Sequence, residues 1–134
     1  MKLVVDTFAW VELFLGREKA QRVLSLVRDA EEVRTPDIVL AEIARKYERE
    51  NVETRTIESR LQAINEASLV TPIDNEVALK CGKAFVDLQG KAKKERLGNP
   101  SLFDAVVLAT ARVHSCMVLT GDQHFAELPE TLFL

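Results

Sequence analysis

The chain has 134 residues, 47% of them apolar, with five glycines and four prolines, which suits one domain with a buried core and excludes disorder. A net charge of −3 excludes a generic basic coat for DNA. It does not exclude nucleic acid as such, because acids that hold a divalent cation are neutralised in use.

The opening Met1-Lys2-Leu3-Val4-Val5 resembles the start of a signal peptide, but Asp6 and Glu12 interrupt it and no small-residue cleavage site follows. No apolar run is long enough to span a bilayer, so the expectation is a soluble, cytoplasmic protein. Residues 2–6 lack polar alternation, as a buried parallel strand would. Phe8 to Leu15 predicts a short helix stopped by Gly16. Arg17 to Ala30 predicts an amphipathic helix with Ala20, Val23, Leu24 and Val27 on its apolar stripe. A strand at Val33–Thr35 leads through Pro36 to Asp37, placed to cap a helix reaching about residue 50.

A second amphipathic helix turns Ile57, Leu61 and Ile64 inward, and Leu69–Thr71 is a strand closed by Pro72. Asp74 caps a long helix striped by Val77, Cys81, Ala84, Phe85 and Leu88, whose polar end, residues 91–96, runs into Gly98-Asn99-Pro100. Ser101 opens a helix apolar on nearly every side and therefore central. Met117–Thr120 is a strand, and Thr131–Phe133 a last short edge strand. Strands alternating with helices predict one α/β domain over residues 1–134, a mainly parallel sheet with helices on both faces. Cys81 and Cys116 stand apart in apolar contexts and read as buried free thiols in a reducing compartment, with a disulfide between them the other option.

Four carboxylates sit where folding alone would not put them. Asp6 closes Leu3-Val4-Val5, Glu42 interrupts Ile38-Val39-Leu40-Ala41 before Ile43, Asp104 splits Leu102-Phe103 from Ala105 to Ala109, and Asp122 follows Met117 to Thr120 after one glycine. A carboxylate out of water without a partner costs several kcal/mol, so such groups pair or bind metal. Sites in open α/β sheets form beyond the carboxyl ends of the strands, where Asp6 and Asp122 fall and which Glu42 and Asp104 can reach. Two carboxylates about 4 Å apart repel by about 4 kcal/mol at an effective dielectric of 20. A group of them calls for a divalent cation, and oxygen-only ligands favour Mg²⁺ or Mn²⁺, a combination suited to phosphodiester hydrolysis.

Each acid also has a plain structural explanation. Ser101 to Asp104 has capping-box spacing, Asp6 can cap the helix that follows it, Asp122 can sit in a turn, and Glu42 can pair with Lys46. The case for a site rests on the set.

Lys2-Leu3-Val4-Val5-Asp6-Thr7, Thr35 to Glu42, Ser101 to Ala105 and Leu119-Thr120-Gly121-Asp122 resemble, in order and spacing, the PIN-domain ribonucleases, and the small VapC-type toxins in particular. The likeness covers essentially the whole chain. It implies a three-layer α/β/α sandwich and Mg²⁺- or Mn²⁺-dependent endonucleolytic cleavage of single-stranded RNA. Asp6, Glu42 and Asp104 match the three core acids, Asp122 the fourth, and Thr7 and Thr120 the small hydroxyl residues beside the first and fourth. As a mechanistic expectation, Asp6 and Asp104 hold the principal metal, while Glu42 and Asp122 complete the cluster or orient the attacking water. In-line attack then leaves a 5′-phosphate and a 3′-hydroxyl. The resemblance also implies an antitoxin partner lying across the acidic crevice.

Arg45, Lys46 and Arg49 follow Glu42, and Lys91, Lys93, Lys94 and Arg96 precede Asp104. These cations are candidate RNA contacts, against the commoner explanation of a solvated helix face. Trp10, Val11 and Phe14 are either core or an apolar face for a homodimer or a partner helix. His114 and His124 lack zinc-ligand spacing; His124, two residues from Asp122, can approach the cleft, with a surface histidine as the default reading. A housekeeping RNA-processing nuclease and a catalytically silent RNA- or protein-binding module remain alternatives. A phosphoacceptor signalling domain ranks below them, because Val5 precedes Asp6 and no lysine follows Thr120.

Overall fold

The computed structural model describes residues 1–134. Five strands, β1 (Lys2–Val5), β2 (Glu32–Pro36), β3 (Leu69–Thr71), β4 (Met117–Thr120) and β5 (Thr131–Phe133), form one sheet in the order β3-β2-β1-β4-β5. Every neighbouring pair is parallel. The helices are α1 (Thr7–Leu15), α2 (Glu18–Asp29), α3 (Asp37–Arg49), α4 (Thr54–Ala67), α5 (Asn75–Glu95) and α6 (Leu102–His114), with a 3₁₀ turn at Gln123–Phe125. The result is the expected α/β/α sandwich. No helix is long and apolar enough to cross a membrane.

The central strand β1 buries Leu3, Val4 and Val5 completely, as a strand covered on both faces must. Helix α6 buries an unbroken run from Ala105 to Ala111, including Thr110, whose hydroxyl bonds back to the Val106 carbonyl at 2.7 Å. Trp10 is core: it is 1% exposed, and its indole N–H donates to Thr35 Oγ1 at 3.1 Å. Cys81 is half-buried and Cys116 buried, and both are free thiols.

Some local expectations are corrected. Asp37 is the first residue of α3 rather than its cap; Pro36 stands at the cap position and no side chain caps the helix. The carboxylate still lies in the first turn, where the helix dipole favours it. On α2 the buried residues are Ala20 and Val23, while Leu24 is exposed. Helix α2 begins at Glu18, with Arg17 at its cap position and no side-chain cap bond.

Candidate active site

The carboxyl ends of β1 and β4 lie side by side, with Val5 in register with Leu119. Asp6 and Asp122 follow those ends, and Asp6 N donates to the Leu119 carbonyl at 3.2 Å. Helices α3 and α6 supply Glu42 and Asp104, and all four acids line one cleft of about 420 Å³. Its remaining walls are Lys46 and, from α1, Thr7, Phe8, Val11, Glu12 and Leu15. A larger hollow of about 540 Å³, between the start of β2 and the end of α4, contains none of the four acids. Two of its three glutamates are already paired, Glu31 with the N-terminal amine and Glu32 with Arg34.

Asp6 is 6% exposed. Its Oδ1 accepts the Thr7 amide at 2.8 Å, capping α1, and its Oδ2 accepts the Thr120 hydroxyl at 2.9 Å. Burial pushes its pKa up to about 7 against the relief from these two bonds, and the charges of Glu42 and Asp104 push the same way. Thr7 Oγ1 donates to Glu42 Oε1 at 3.0 Å. Glu42 is raised by burial, countered by the Thr7 bond and raised further by Asp104. Glu42 does not pair with Lys46, which turns instead to Glu50 at 2.6 Å.

Asp104 completes the capping box of α6: its Oδ2 accepts the Ser101 amide at 2.9 Å, and its own amide donates to Ser101 Oγ at 3.1 Å. It is raised by burial, eased by Ser101, and raised again by Asp122. The Asp122 amide donates to Thr120 Oγ1 at 3.1 Å, and Asp122 Oδ1 accepts the His124 amide at 2.9 Å. Three of the four plain explanations therefore hold, since Asp6, Asp104 and Asp122 all act as caps. Capping uses lone pairs on a carboxylate without exhausting them, so these bonds orient the acids toward the cleft.

The donor set fits a divalent cation. It is oxygen-rich, crowded and partly desolvated, and burial, with the like charges of neighbouring acids, holds three of its acids above their ordinary values. The expected RNA-contacting cations divide. Lys46 lines the cleft, and Arg45 acts on Glu42 by its charge while lying 5.6 Å from the Phe103 ring. Arg49, Lys93, Lys94 and Arg96 are exposed at helix ends, and the structure does not bring them to the acids. Lys91 pairs with Glu95 and donates to the Gln123 carbonyl at 3.0 Å, fastening the turn after Asp122.

Two residues bear more closely on the cleft than the sequence reading gave them. Glu12 shares the face of α1 that carries Phe8 and Leu15 to the cleft, which its four-residue spacing from Phe8 already encodes. His124 is not a surface histidine. Its Nδ1 lies 3.0 Å from Asp122 Oδ1 and its Nε2 lies 2.7 Å from the Gly98 carbonyl oxygen. Burial alone lowers the imidazole, but the bonds to Gly98 and Asp122 outweigh it and hold the pKa above its usual value.

The structure is similar to a toxin–antitoxin complex from Klebsiella pneumoniae, with 23% identity, a TM-score of 0.68, and 98% of this chain and 96% of that one covered. It is also similar to VapC20 of Mycobacterium tuberculosis, a sarcin–ricin-loop-cleaving toxin, at 19% identity and TM-score 0.71 over 97% and 98% of the chains. VapBC2 of Rickettsia felis, bound to a promoter DNA fragment, aligns at 15% identity and TM-score 0.70 over 100% and 98%. At these identities the likeness is one of fold. No curated protein matches the chain in sequence. The PIN domain family model matches residues 3–131, nearly the whole chain, and with four acids converging at the sheet's carboxyl edge the chain belongs to the PIN-domain family.

Proposed function

We propose that this protein is a divalent-metal-dependent endoribonuclease that cuts single-stranded RNA and serves as the toxin of a VapBC-type toxin–antitoxin pair. The observation that carries the reading is the convergence of Asp6, Glu42, Asp104 and Asp122 on one cleft, three of them held above their ordinary pKa. Asp6 and Asp104 would hold Mg²⁺ or Mn²⁺, with Glu42 and Asp122 completing the set. When bound, such a cation neutralises phosphate charge and eases deprotonation of a water.

The chain's own groups do the rest. Thr7 fixes Glu42 through its hydroxyl, and Thr120 fixes Asp6, so the carboxylates are aimed before substrate arrives. Glu42 keeps Oε2 free to accept a proton from an attacking water, and in-line displacement leaves a 5′-phosphate and a 3′-hydroxyl. Lys46 and Arg45 would steer the backbone at the cleft mouth.

Toxin–antitoxin complexes among the similar structures support an antitoxin partner. A cleft lined by acids together with Phe8, Val11 and Leu15 suits a segment carrying basic and apolar side chains. A homodimer in the cytoplasm completes the reading.

The test is incubation of the whole chain with 5′-labelled single-stranded RNA in Mn²⁺, Mg²⁺ or EDTA, with Asp6→Asn and Asp104→Asn beside the wild type. Cleavage that needs metal and both acids, and leaves 5′-phosphate ends, supports the proposal. Ends carrying a 2′,3′-cyclic phosphate would sink it. Growth arrest on expression, relieved by Asp104→Asn, separates a toxin from a processing enzyme.

A further inference from the structure

His124 faces an acceptor at each of its ring nitrogens. Its Nε2 faces the Gly98 carbonyl oxygen at 2.7 Å, and a carbonyl only accepts, so Nε2 carries the hydrogen and donates. Nδ1 then presents its lone pair to Asp122 Oδ1 at 3.0 Å. Two lone pairs facing each other at that distance need a positive centre drawn to both, either a proton or a metal ion.

The distance discriminates between the two less than the third member does. A ring nitrogen of His124 and carboxylate oxygens of Asp122 and Asp104 all lie within 4.8 Å of one another. A proton serves two of these atoms, whereas a cation serves three. Neighbouring ligands on an octahedral ion with bonds of about 2.1 Å stand about 3 Å apart, which is the spacing of Nδ1 and Oδ1. The ring is also fixed from behind, as histidine ligands are when the second nitrogen donates to a carbonyl.

We infer that His124 is a nitrogen ligand of the cleft's divalent cation on its Asp104–Asp122 side, and that the site takes Mn²⁺ in preference to Mg²⁺. Imidazole is a poor donor to Mg²⁺, which demands oxygen, and a better one to transition-metal ions. The inference rests on the metal-dependent reading above and adds to it a ligand and a metal preference.

The test is Mn²⁺ titrated into the whole wild-type chain, read by calorimetry and by pulsed electron paramagnetic resonance. The chain has only two histidines, so ¹⁵N-histidine labelling identifies the donor when His114→Gln and His124→Gln are compared. Glutamine at position 124 retains a terminal N–H for the Gly98 carbonyl, and the metal-free melting temperature checks that the variant folds.

The expected result is a nitrogen coupling to Mn²⁺ that shifts with the label, survives in His114→Gln and vanishes in His124→Gln. Mn²⁺ affinity should fall about tenfold in His124→Gln while Mg²⁺ affinity stays within about twofold. Mn²⁺ that binds, depends on Asp104 and shows no histidine coupling overturns this inference and leaves an all-oxygen site standing. Absence of Mn²⁺ binding by the wild type, with and without single-stranded RNA, overturns this inference and the metal-dependent reading together.

Discussion

The hydroxyl of Thr120 donates to Asp6 Oδ2 at 2.9 Å, joining residues 114 apart in the chain. Thr120 Oγ1 also accepts the Asp122 amide at 3.1 Å, so one side chain sets the spacing of the first and fourth acids. Thr120→Val keeps the shape and removes both roles. It should destabilise the fold by about 1–3 kcal/mol in urea titrations and weaken Mn²⁺ binding, while Thr120→Ser restores both. Unchanged binding in Thr120→Val would show that the hydroxyl does not position the acids.

Asp6 makes the metal-free protein sensitive to pH. Its folded pKa is about 7 against an ordinary 3.8, so between those values the native state binds more protons than the unfolded chain. Stability is therefore highest at the acid end of this window and falls as pH rises through it, by roughly 4 kcal/mol for the full shift. Glu42 and Asp104 are raised as well and add to the same slope. Denaturation in EDTA from pH 4 to 8 should show the decline, Asp6→Asn should flatten it, and Mn²⁺ should oppose it at high pH.

Gly121 has a neighbour that explains it. A β-carbon placed there would meet the Phe8 ring at 2.3 Å, and Phe8 in turn lines the cleft and carries Lys19 5.3 Å from its ring centroid. Gly121→Ala should displace that ring and cost about 1–3 kcal/mol. Adding Phe8→Ala should recover part of the loss specific to Gly121→Ala, a coupling that a double-mutant cycle measures.

Away from the cleft, Arg112 bonds Asp87 at 2.8 Å and Glu130 at 3.3 Å, tying α6 to α5 and to the segment before β5. Arg112→Met strands Glu130, whose Oε2 is already buried without a partner, and should cost about 1–3 kcal/mol. Asp87 is held below the usual carboxylate range by Arg112 and then by Lys83, so its contribution is present above that range and fades as pH falls. The difference between wild type and Arg112→Met should accordingly shrink in acid, which denaturation at pH 3 and pH 7 checks.

Much of this was legible in the residues. The unbroken apolar run at Leu3–Val5 dictates a strand covered on both faces, and an acid directly after it lands at the carboxyl edge. The Ser101–Asp104 spacing was readable both as a capping box and as a site, and the structure has the box with Asp104 in the cleft. What failed were choices among nearly equal rotamers and phases. Lys46 can reach Glu42 or Glu50 at the same four-residue spacing; it pairs with Glu50, while Glu42 takes the Thr7 hydroxyl. Leu24 lies one position from the buried Val23, a difference of phase along a helix that composition does not fix. Proximity to Asp122 suggests His124 to the cleft but leaves a surface position the default, because its second anchor, the Gly98 carbonyl, lies 26 residues away in a loop that carries no signal for it.

The order of the strands has a consequence in time as well as in space. β1 precedes the other four strands of the sheet in the chain, yet it lies in the middle of the sheet, between β2 and β4. Asp6 takes its backbone partner from Leu119 and its hydroxyl partner from Thr120, both made more than a hundred residues after it. A growing chain can pair β1 with β2 early, but it leaves the other edge of β1 open until β4 emerges. The four acids thus cannot share one cleft before β4 and Asp122 have emerged, however early β1 and β2 pair.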